Sequence, residues 1–168
     1  LKAREVIQGW AQAAGQIFPA ANARHSIATA TRWQDLGDDM RLAKEDHAAV
    51  AKGLIKRIRE TRADILNVEV KDKEPILPDG TPRAYILDAL RHPAEVNLLR
   101  HLYQDAFVLI GVVCDHDVRR TRLQNKLGNP TLDNLLDFMN RDEKATARHG
   151  QQVAKTFQLA DFYVENTP

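Results

Sequence analysis

Cysteine, long apolar runs and an excess of charge of one sign are scarce or missing in this sequence of 168 residues. Its single cysteine, Cys114, rules out an internal disulfide and a cysteine-based zinc site, and we expect it to be a small buried side chain. No apolar run reaches the roughly 20 residues of a membrane span. Lys and Arg number 24 against 23 Asp and Glu, without the basic excess typical of nucleic-acid binding. These features predict one domain, off the membrane, in the reducing cytoplasm.

Two chemical signatures are also absent. None of the six histidines has the H-x-E or H-E-x-x-H spacing, which argues against a metal site within the chain. The glycine-rich phosphate loop G-x-x-x-x-G-K-[ST] is missing as well, so a P-loop fold would need its first strand and loop upstream of Leu1, or in degenerate form. Because the sequence starts inside an apolar helical pattern, we expect upstream sequence to be missing.

The most informative part of the sequence is a strand–helix–strand pattern. Two apolar runs, Ala84–Leu90 and Phe107–Cys114, have the length and composition of strands that are buried on both faces. Between them, Pro93 suits the first turn of a helix whose apolar stripe is Val96, Leu99 and Leu102. Such a unit is nearly always parallel and right-handed. Ligands bind beside the carboxyl ends of such strands, so this region is where we expect the chemistry.

The remaining pattern alternates helices with short strands. Apolar spacing predicts helices at residues 2–14, 32–62, 117–127, 131–139 and 153–160, with Gly37 and Asp46 as candidate interruptions of the second. Alternation predicts a strand from Leu66 to Val70, and a last strand is expected at Phe162–Val164. Residues 75–82 are predicted to be a loop, and residues 141–150 a polar flap. The fold class predicted is therefore α/β, as a three-layer αβα sandwich with a mainly parallel sheet.

Phosphate binding is the strongest chemistry that the residues suggest. Asp88 ends the first predicted strand with Arg91 three residues later, and the helix after the second strand carries Arg119, Arg120 and Arg122. Arginine binds phosphate through paired hydrogen bonds, and a carboxylate at a strand end can hold a Mg²⁺-bound water. Arg141 in the flap could close over the ligand. The alternative is that Asp88 and Arg91 form a local ion pair and that the other arginines are a solvated helix face.

Four segments together resemble a known family. They are R-W-Q-D-L-G-D-D-M-R at Arg32–Arg41, A-Y-I-L-D-A-L-R-H-P-A-E-V-N-L-L-R with F-V-L-I-G-V, F-M-N-R-D-E-K at Phe138–Lys144, and G-Q-Q-V-A-K-T-F-Q-L-A-D-F-Y-V-E-N at Gly150–Asn166. This series is similar to P-loop deoxynucleoside monophosphate kinase-like domains, and in particular to the N-terminal domain of bacterial anti-phage dCTP/dCMP deaminases. The resemblance covers about residues 32–166.

The resemblance implies a set of nucleotide-binding residues. Asp88 and Arg91 would face the nucleotide cleft, and Arg119, Arg120 and Arg141 would belong to a lid. Gln34 and Arg41 would lie where relatives hold the acceptor nucleotide, and Asn166 would lie beside the base. The resemblance implies no catalytic residue here, because the chain has neither the P-loop nor the H-x-E and P-C-x-x-C signature of the deaminases.

The resemblance also implies a function for the parent protein. This segment would be a nucleotide-binding regulatory domain, with a zinc-dependent deaminase domain downstream that depletes dCTP and dCMP during phage infection. Its partner would be a deoxynucleotide ligand, and its candidate nucleotide cofactor would be either a dNTP or ATP with Mg²⁺. A second copy of the chain and a small RNA or protein inhibitor are further candidate partners. Two alternatives are a truncated, Mg²⁺- and ATP-dependent deoxynucleoside monophosphate kinase and an interaction module that kept only the fold.

Overall fold

The computed structural model describes residues 1–20, 22–72, 74–143 and 150–167, without the side chains of residues 142 and 143. Its helices are α1 (Ala3–Ala13), α2 (Ile27–Ala43), α3 (Ala49–Leu66), α4 (Pro93–Tyr103), α5 (His116–Lys126), α6 (Leu132–Glu143) and α7 (Val153–Phe157). The strands are β1 (Ile110–Val113) and β2 (Phe162–Glu165), and a 3₁₀ turn at Gln104–Ala106 follows α4. The mixed α/β class predicted from the sequence is therefore confirmed. None of the described helices is long and apolar enough to cross a membrane.

The first three helices pack around an apolar core. Met40 on α2 and Val50 and Leu54 on α3 are buried in one cluster with Ala3 of α1. The helices approach closely at Gly53, where an added Cβ would lie 2.1 Å from the Cγ1 of Val6 on α1. A second cluster joins Leu127 to Leu135 and Met139 of α6.

The long periodic segment at residues 32–62 forms two helices. Ser26 begins α2 by accepting a hydrogen bond from the backbone N–H of Thr29, so the helix starts earlier than predicted. The break between them includes Asp46, one of the two positions predicted to interrupt the segment. The Asp46 side chain accepts a hydrogen bond from the backbone N–H of Ala48. The other position, Gly37, lies inside α2 and packs against the side chain of Ile7 instead.

Two predicted strands are corrected by the structure. The run Ala84–Leu90 is extended, but in the described chain it pairs only through an isolated parallel bridge between Lys2 and Asp88. A strand needs a neighbour along its length to satisfy its backbone groups, and among the described residues this run bonds to residues 1–3 only at Ile86 and Asp88. The predicted strand at Leu66–Val70 is also wrong, because Leu66 is the last residue of α3 and Asn67 ends that helix in the left-handed conformation.

The sheet in the described residues consists of β1 and β2, which run parallel. Their register pairs Ile110 with Phe162 and Val112 with Val164, so these four apolar side chains share one face of the sheet. All four are at least half exposed. The opposite face carries Gly111, where an added Cβ would lie within 3 Å of the rings of Tyr163 and Phe157. The predicted helix α4 and last strand are confirmed, but this sheet is smaller than that of a three-layer sandwich.

The arginine-bearing helix and its successor have the predicted positions. Asp115 caps α5, since its Oδ1 accepts from the backbone N–H groups of Asp117 and Val118 at 2.9 and 3.2 Å. Gly128 and Asn129 have positive φ values between α5 and α6, and α6 begins directly after Thr131. Of the predicted flap, residues 141–143 belong to α6, and residues 144–149 lie outside the described residues.

Candidate functional site

A continuous set of polar contacts links α2, α4, α6 and the segment that precedes α7. We call it the ion-pair network and define it as Asp35, Asp38, Arg41, Arg91, Glu95, Arg141 and Gln151. Three of the eight residues predicted to bind a nucleotide, Arg41, Arg91 and Arg141, belong to it. Gln34, a fourth, is buried on α2 next to Asp35. The network is therefore where the structure brings predicted site residues together.

The centre of the network is a buried ion pair between Arg41 and Glu95. The Nη2 and Nε atoms of Arg41 lie 2.8 and 3.3 Å from Oε1 of Glu95. Arg41 also donates through Nη1 to Oδ1 of Asp38 at 3.2 Å. Its side chain is 3% exposed and thus fully engaged by two carboxylates. We infer that Arg41 stabilises the site, whereas the resemblance had placed it against the acceptor nucleotide.

Glu95 also shapes the backbone that carries Arg91. Its Oε2 accepts from the backbone N–H groups of Arg91 and His92 at 2.8 and 3.2 Å, while His92 Nδ1 accepts from Ala94. This reciprocal arrangement is a capping box, which satisfies amide groups at the start of α4. The ring of His92 stacks on that of His47 with centroids 4.9 Å apart. One carboxylate therefore fixes both Arg41 and the start of α4.

Arg91 lies at one end of the network. Its Nη1 donates to Oε1 of Gln151 at 2.9 Å, and its carbonyl accepts from the backbone N–H of Gln152. Gln151 is itself buried. Arg91 thus connects the start of α4 to the segment that leads into α7, and its contact with Gln151 is with a neutral amide.

Arg141 lies at the other end, in the last turn of α6. Its Nη2 is 2.5 Å from Oδ1 of Asp35 and 3.7 Å from Oδ2 of Asp38, both on α2. Arg141 and Asp35 are each more than a third exposed, in contrast to the buried pair at the centre. This end of the network is therefore open to solvent.

A second group of predicted residues lies at the carboxyl ends of the two strands. The backbone N–H of Asn166 donates to Val113, and its carbonyl accepts from Nη1 of Arg122 at 2.7 Å. Arg120 lies 3.3 Å from Asp117 in an exposed pair, and Arg119 is on the same helix. The first amides of α5 are already bound by Asp115, so that helix start does not offer them to a phosphate. No described contact joins Arg119, Arg120 or Asn166 to the ion-pair network.

Asp88, the predicted carboxylate of the cleft, takes part through its backbone. Its N–H donates to Leu1, and its carbonyl accepts from Ala3. Its side chain is exposed and forms no hydrogen bond or ion pair with the other described residues. The local Asp88–Arg91 ion pair considered from the sequence does not form, since Arg91 contacts Gln151 instead.

Four members of the network were not predicted, namely Asp35, Asp38, Glu95 and Gln151. Glu95 had a signal in the sequence, because a polar cap followed three residues later by Glu is the spacing of a capping box. Asp38 and Arg41 also have the three-residue spacing of a helical ion pair. Gln151 carries no local signal, since its partner Arg91 is 60 positions away.

Two open grooves lie elsewhere on the molecule. One is lined by residues of the 66–77 segment, including Val68, Pro75 and Leu77. The other lies between Leu1, Ile65 of α3 and the extended run at Tyr85 and Ile86. Neither groove includes a predicted site residue. Among the described residues, no group of three or more His, Cys, Asp and Glu is arranged to hold a metal ion.

Comparison with known proteins adds one distant similarity. No family model matches the chain, and no solved structure gives a significant match. The UPF0200/UPF0201 protein of Archaeoglobus fulgidus is 27% identical over 124 residues, which is 74% of this chain. The match covers 32% of that protein, so the chain spans about a third of the length of this curated relative.

Proposed function

We propose that this chain is a nucleotide-binding, kinase-like regulatory domain of a deoxycytidylate (dCTP/dCMP) deaminase that acts in anti-phage defence by nucleotide depletion. The proposal includes a cytoplasmic parent protein in which further strands complete a P-loop kinase-like sandwich and a downstream domain holds zinc. The observation that carries it is the ion-pair network, in which Arg91 and Arg141 stand at the two ends and Gln34 lies on the helix between them.

The chemistry of these residues suits a nucleotide. A guanidinium group binds phosphate through two parallel hydrogen bonds, and Nη1 of Arg91 donates to the neutral amide of Gln151, which a charged phosphate oxygen can replace as the acceptor. The amide of Gln34 has both donor and acceptor atoms, as recognition of a base edge requires. Arg41 and Glu95 hold α2 and α4 in a fixed relation, which preorganises the site.

Regulation follows if the ligand changes how the helices are joined. A phosphate bound by Arg91 and Arg141 would link the start of α4 to the end of α6. A nucleotide that binds one arrangement better than another shifts the population towards it, and an attached domain can respond to that shift.

Calorimetric titration with dCMP, dCTP, dTMP and dATP tests the proposal, on this chain and on the full-length parent. We expect one deoxycytidine nucleotide to bind, and R91M or R141M to weaken binding by about tenfold or more, the value of a charge-assisted hydrogen bond. R57M is the matched control, because Arg57 pairs with Glu60 on the solvent-facing side of α3. Absence of binding by all four nucleotides, or equal loss in R57M, would contradict the proposal.

An interaction module that kept only the fold is the second candidate. It is favoured by the four apolar side chains Ile110, Val112, Phe162 and Val164 on one open face of the sheet. This candidate predicts no nucleotide binding at all.

The truncated kinase is a further alternative, and its product distinguishes it. Once its phosphate loop is present, it would transfer phosphate from ATP to a deoxynucleoside monophosphate.

A further inference from the structure

Asp35 and Asp38 both contact Arg141, but their surroundings differ. Asp38 is 14% exposed, and it also accepts from Arg41, so it belongs to the buried centre of the network. Asp35 is 38% exposed, and Arg141 is its only ion-pair partner among the described residues. Its carboxylate can therefore leave Arg141 and be hydrated, whereas Asp38 cannot do so without uncovering Arg41.

We propose that Asp35 is a specificity-determining residue that selects phosphate monoesters. This inference rests on the proposed function and adds a rule for its ligand. In the present structure the Asp35 carboxylate occupies a donor atom of Arg141, the Nη2 group, that a bound phosphate would use. A phosphate that binds this Nη2 group in place of the carboxylate must therefore displace Asp35.

The exchange favours a ligand with more charge than a carboxylate. A phosphate monoester carries roughly 1.5 to 2 negative charges at neutral pH. A phosphodiester carries a single negative charge and gains little by replacing a carboxylate of equal charge. Asp38 stays 3.7 Å from Arg141 in either case and repels both anions. The site should accordingly prefer the terminal phosphate of a nucleotide over a cyclic or internal phosphate.

The test compares dCMP with 3′,5′-cyclic dCMP, the matching diester, on wild type and on Asp35→Asn. Because an exposed ion pair is weak, removal of Asp35 should change the affinity for a competing anion by up to about fivefold. We expect D35N to bind the cyclic diester about two- to fivefold more tightly and to change dCMP binding less, so that its selectivity falls. D35E retains the charge and should keep the wild-type selectivity.

Asp39→Asn is the matched control, because Asp39 lies on the same helix and pairs with Arg32 rather than with Arg141. Measurements near physiological salt, where charges are screened beyond roughly 8 Å, separate a direct contact from a change in net charge.

Equal selectivity of D35N, D39N and wild type would overturn the inference. So would weaker diester binding by a D35N variant that melts like wild type. If wild type binds neither ligand, the proposed function falls with it. If wild type binds dCMP and R141M weakens that binding, but D35N leaves the selectivity unchanged, only this inference falls.

Discussion

Arg41 and Glu95 form a buried ion pair between α2 and α4, with Nη2 and Oε1 separated by 2.8 Å and side chains 3% and 0% exposed. The same glutamate accepts hydrogen bonds from the backbone of Arg91 and His92. The pair therefore connects the N-terminal helices to the start of α4. Every proposed role of Arg91 depends on that connection, which makes the pair the first target for mutation.

Replacement of Arg41 by Met should strongly destabilise the protein. Glu95 would keep a buried charge without its partner, and loss of one member of a buried pair costs about 3–5 kcal/mol. The double variant R41M/E95M removes both charges and should recover much of the lost free energy of unfolding. The recovery should be incomplete, because the capping hydrogen bonds of Glu95 are lost as well. Denaturant unfolding monitored by circular dichroism measures both values.

The exposed pair of Arg57 and Glu60 provides the comparison for Arg41. R57M should change the free energy of unfolding by about 0–1 kcal/mol, as is usual for surface pairs. A loss in R41M no larger than that in R57M would mean that the buried pair does not hold α2 against α4.

Gly53 and Gly9 should respond in opposite ways to replacement by Ala. An added Cβ at Gly53 would lie 2.1 Å from Val6, so G53A should overpack the contact between α1 and α3 and cost about 1–3 kcal/mol. At Gly9, an exposed position inside α1, nothing lies within 4 Å of the new Cβ. G9A should therefore stabilise the helix by about 0.5–1 kcal/mol. Thermal melting of the two variants tests the packing, and a stabilised G53A would show that the helices lie further apart.

Asp161 should make stability depend on pH in the acid range. The hydrogen bond from the backbone N–H of Leu109, followed by the pairing with Arg100, lowers the pKa of the Asp161 carboxyl. Because its folded pKa is below the unfolded value of about 3.9, its contribution is complete above that value and is lost as the pH falls through the folded pKa.

The variant D161N tests that contribution. It should be less stable than wild type at pH 7, and the difference should shrink as the pH falls below about 4. Asp105, which is exposed on the 3₁₀ turn, is a control position for the same replacement. A constant difference between wild type and D161N at all pH values would argue against the Asp161 contacts.

Much of the helical structure could be predicted from the sequence because its signals are local. Pro93 with Glu95 specified the start of α4, and Gly128 with Asn129 specified the end of α5. The failure of Ala84–Leu90 to form a strand could not be predicted from the sequence. Composition indicates the propensity to form a strand and not the presence of a neighbouring strand. Ile86 in that run is 81% exposed, although the apolar composition of the run predicted a strand that is buried on both faces.

The candidate site could be predicted only in part. Arginine and glutamine are visible in the sequence, but which of them converge depends on contacts between distant residues. The Arg141–Asp35 pair spans 106 positions and the Arg41–Glu95 pair spans 54. Arg119 and Arg120 have the same composition signal as Arg91, and they lie on α5 instead, where their helix start is capped by Asp115. The buried carboxylate of Glu95 binds the side chain of Arg41 and the backbone N–H of Arg91, a distinction that the sequence pattern could not show.

The most direct test of the central claim is a nucleotide titration observed through arginine Nε–H signals in NMR spectra of the whole chain. The claim is that Arg91 and Arg141 bind the phosphate of a deoxynucleotide. We predict that dCMP shifts the signals of these two arginines saturably, while those of Arg57, Arg119 and Arg120 stay unchanged. Shifts at Arg119 and Arg120 alone would move the site to α5, and no saturable shift at Arg91 or Arg141 would contradict the account.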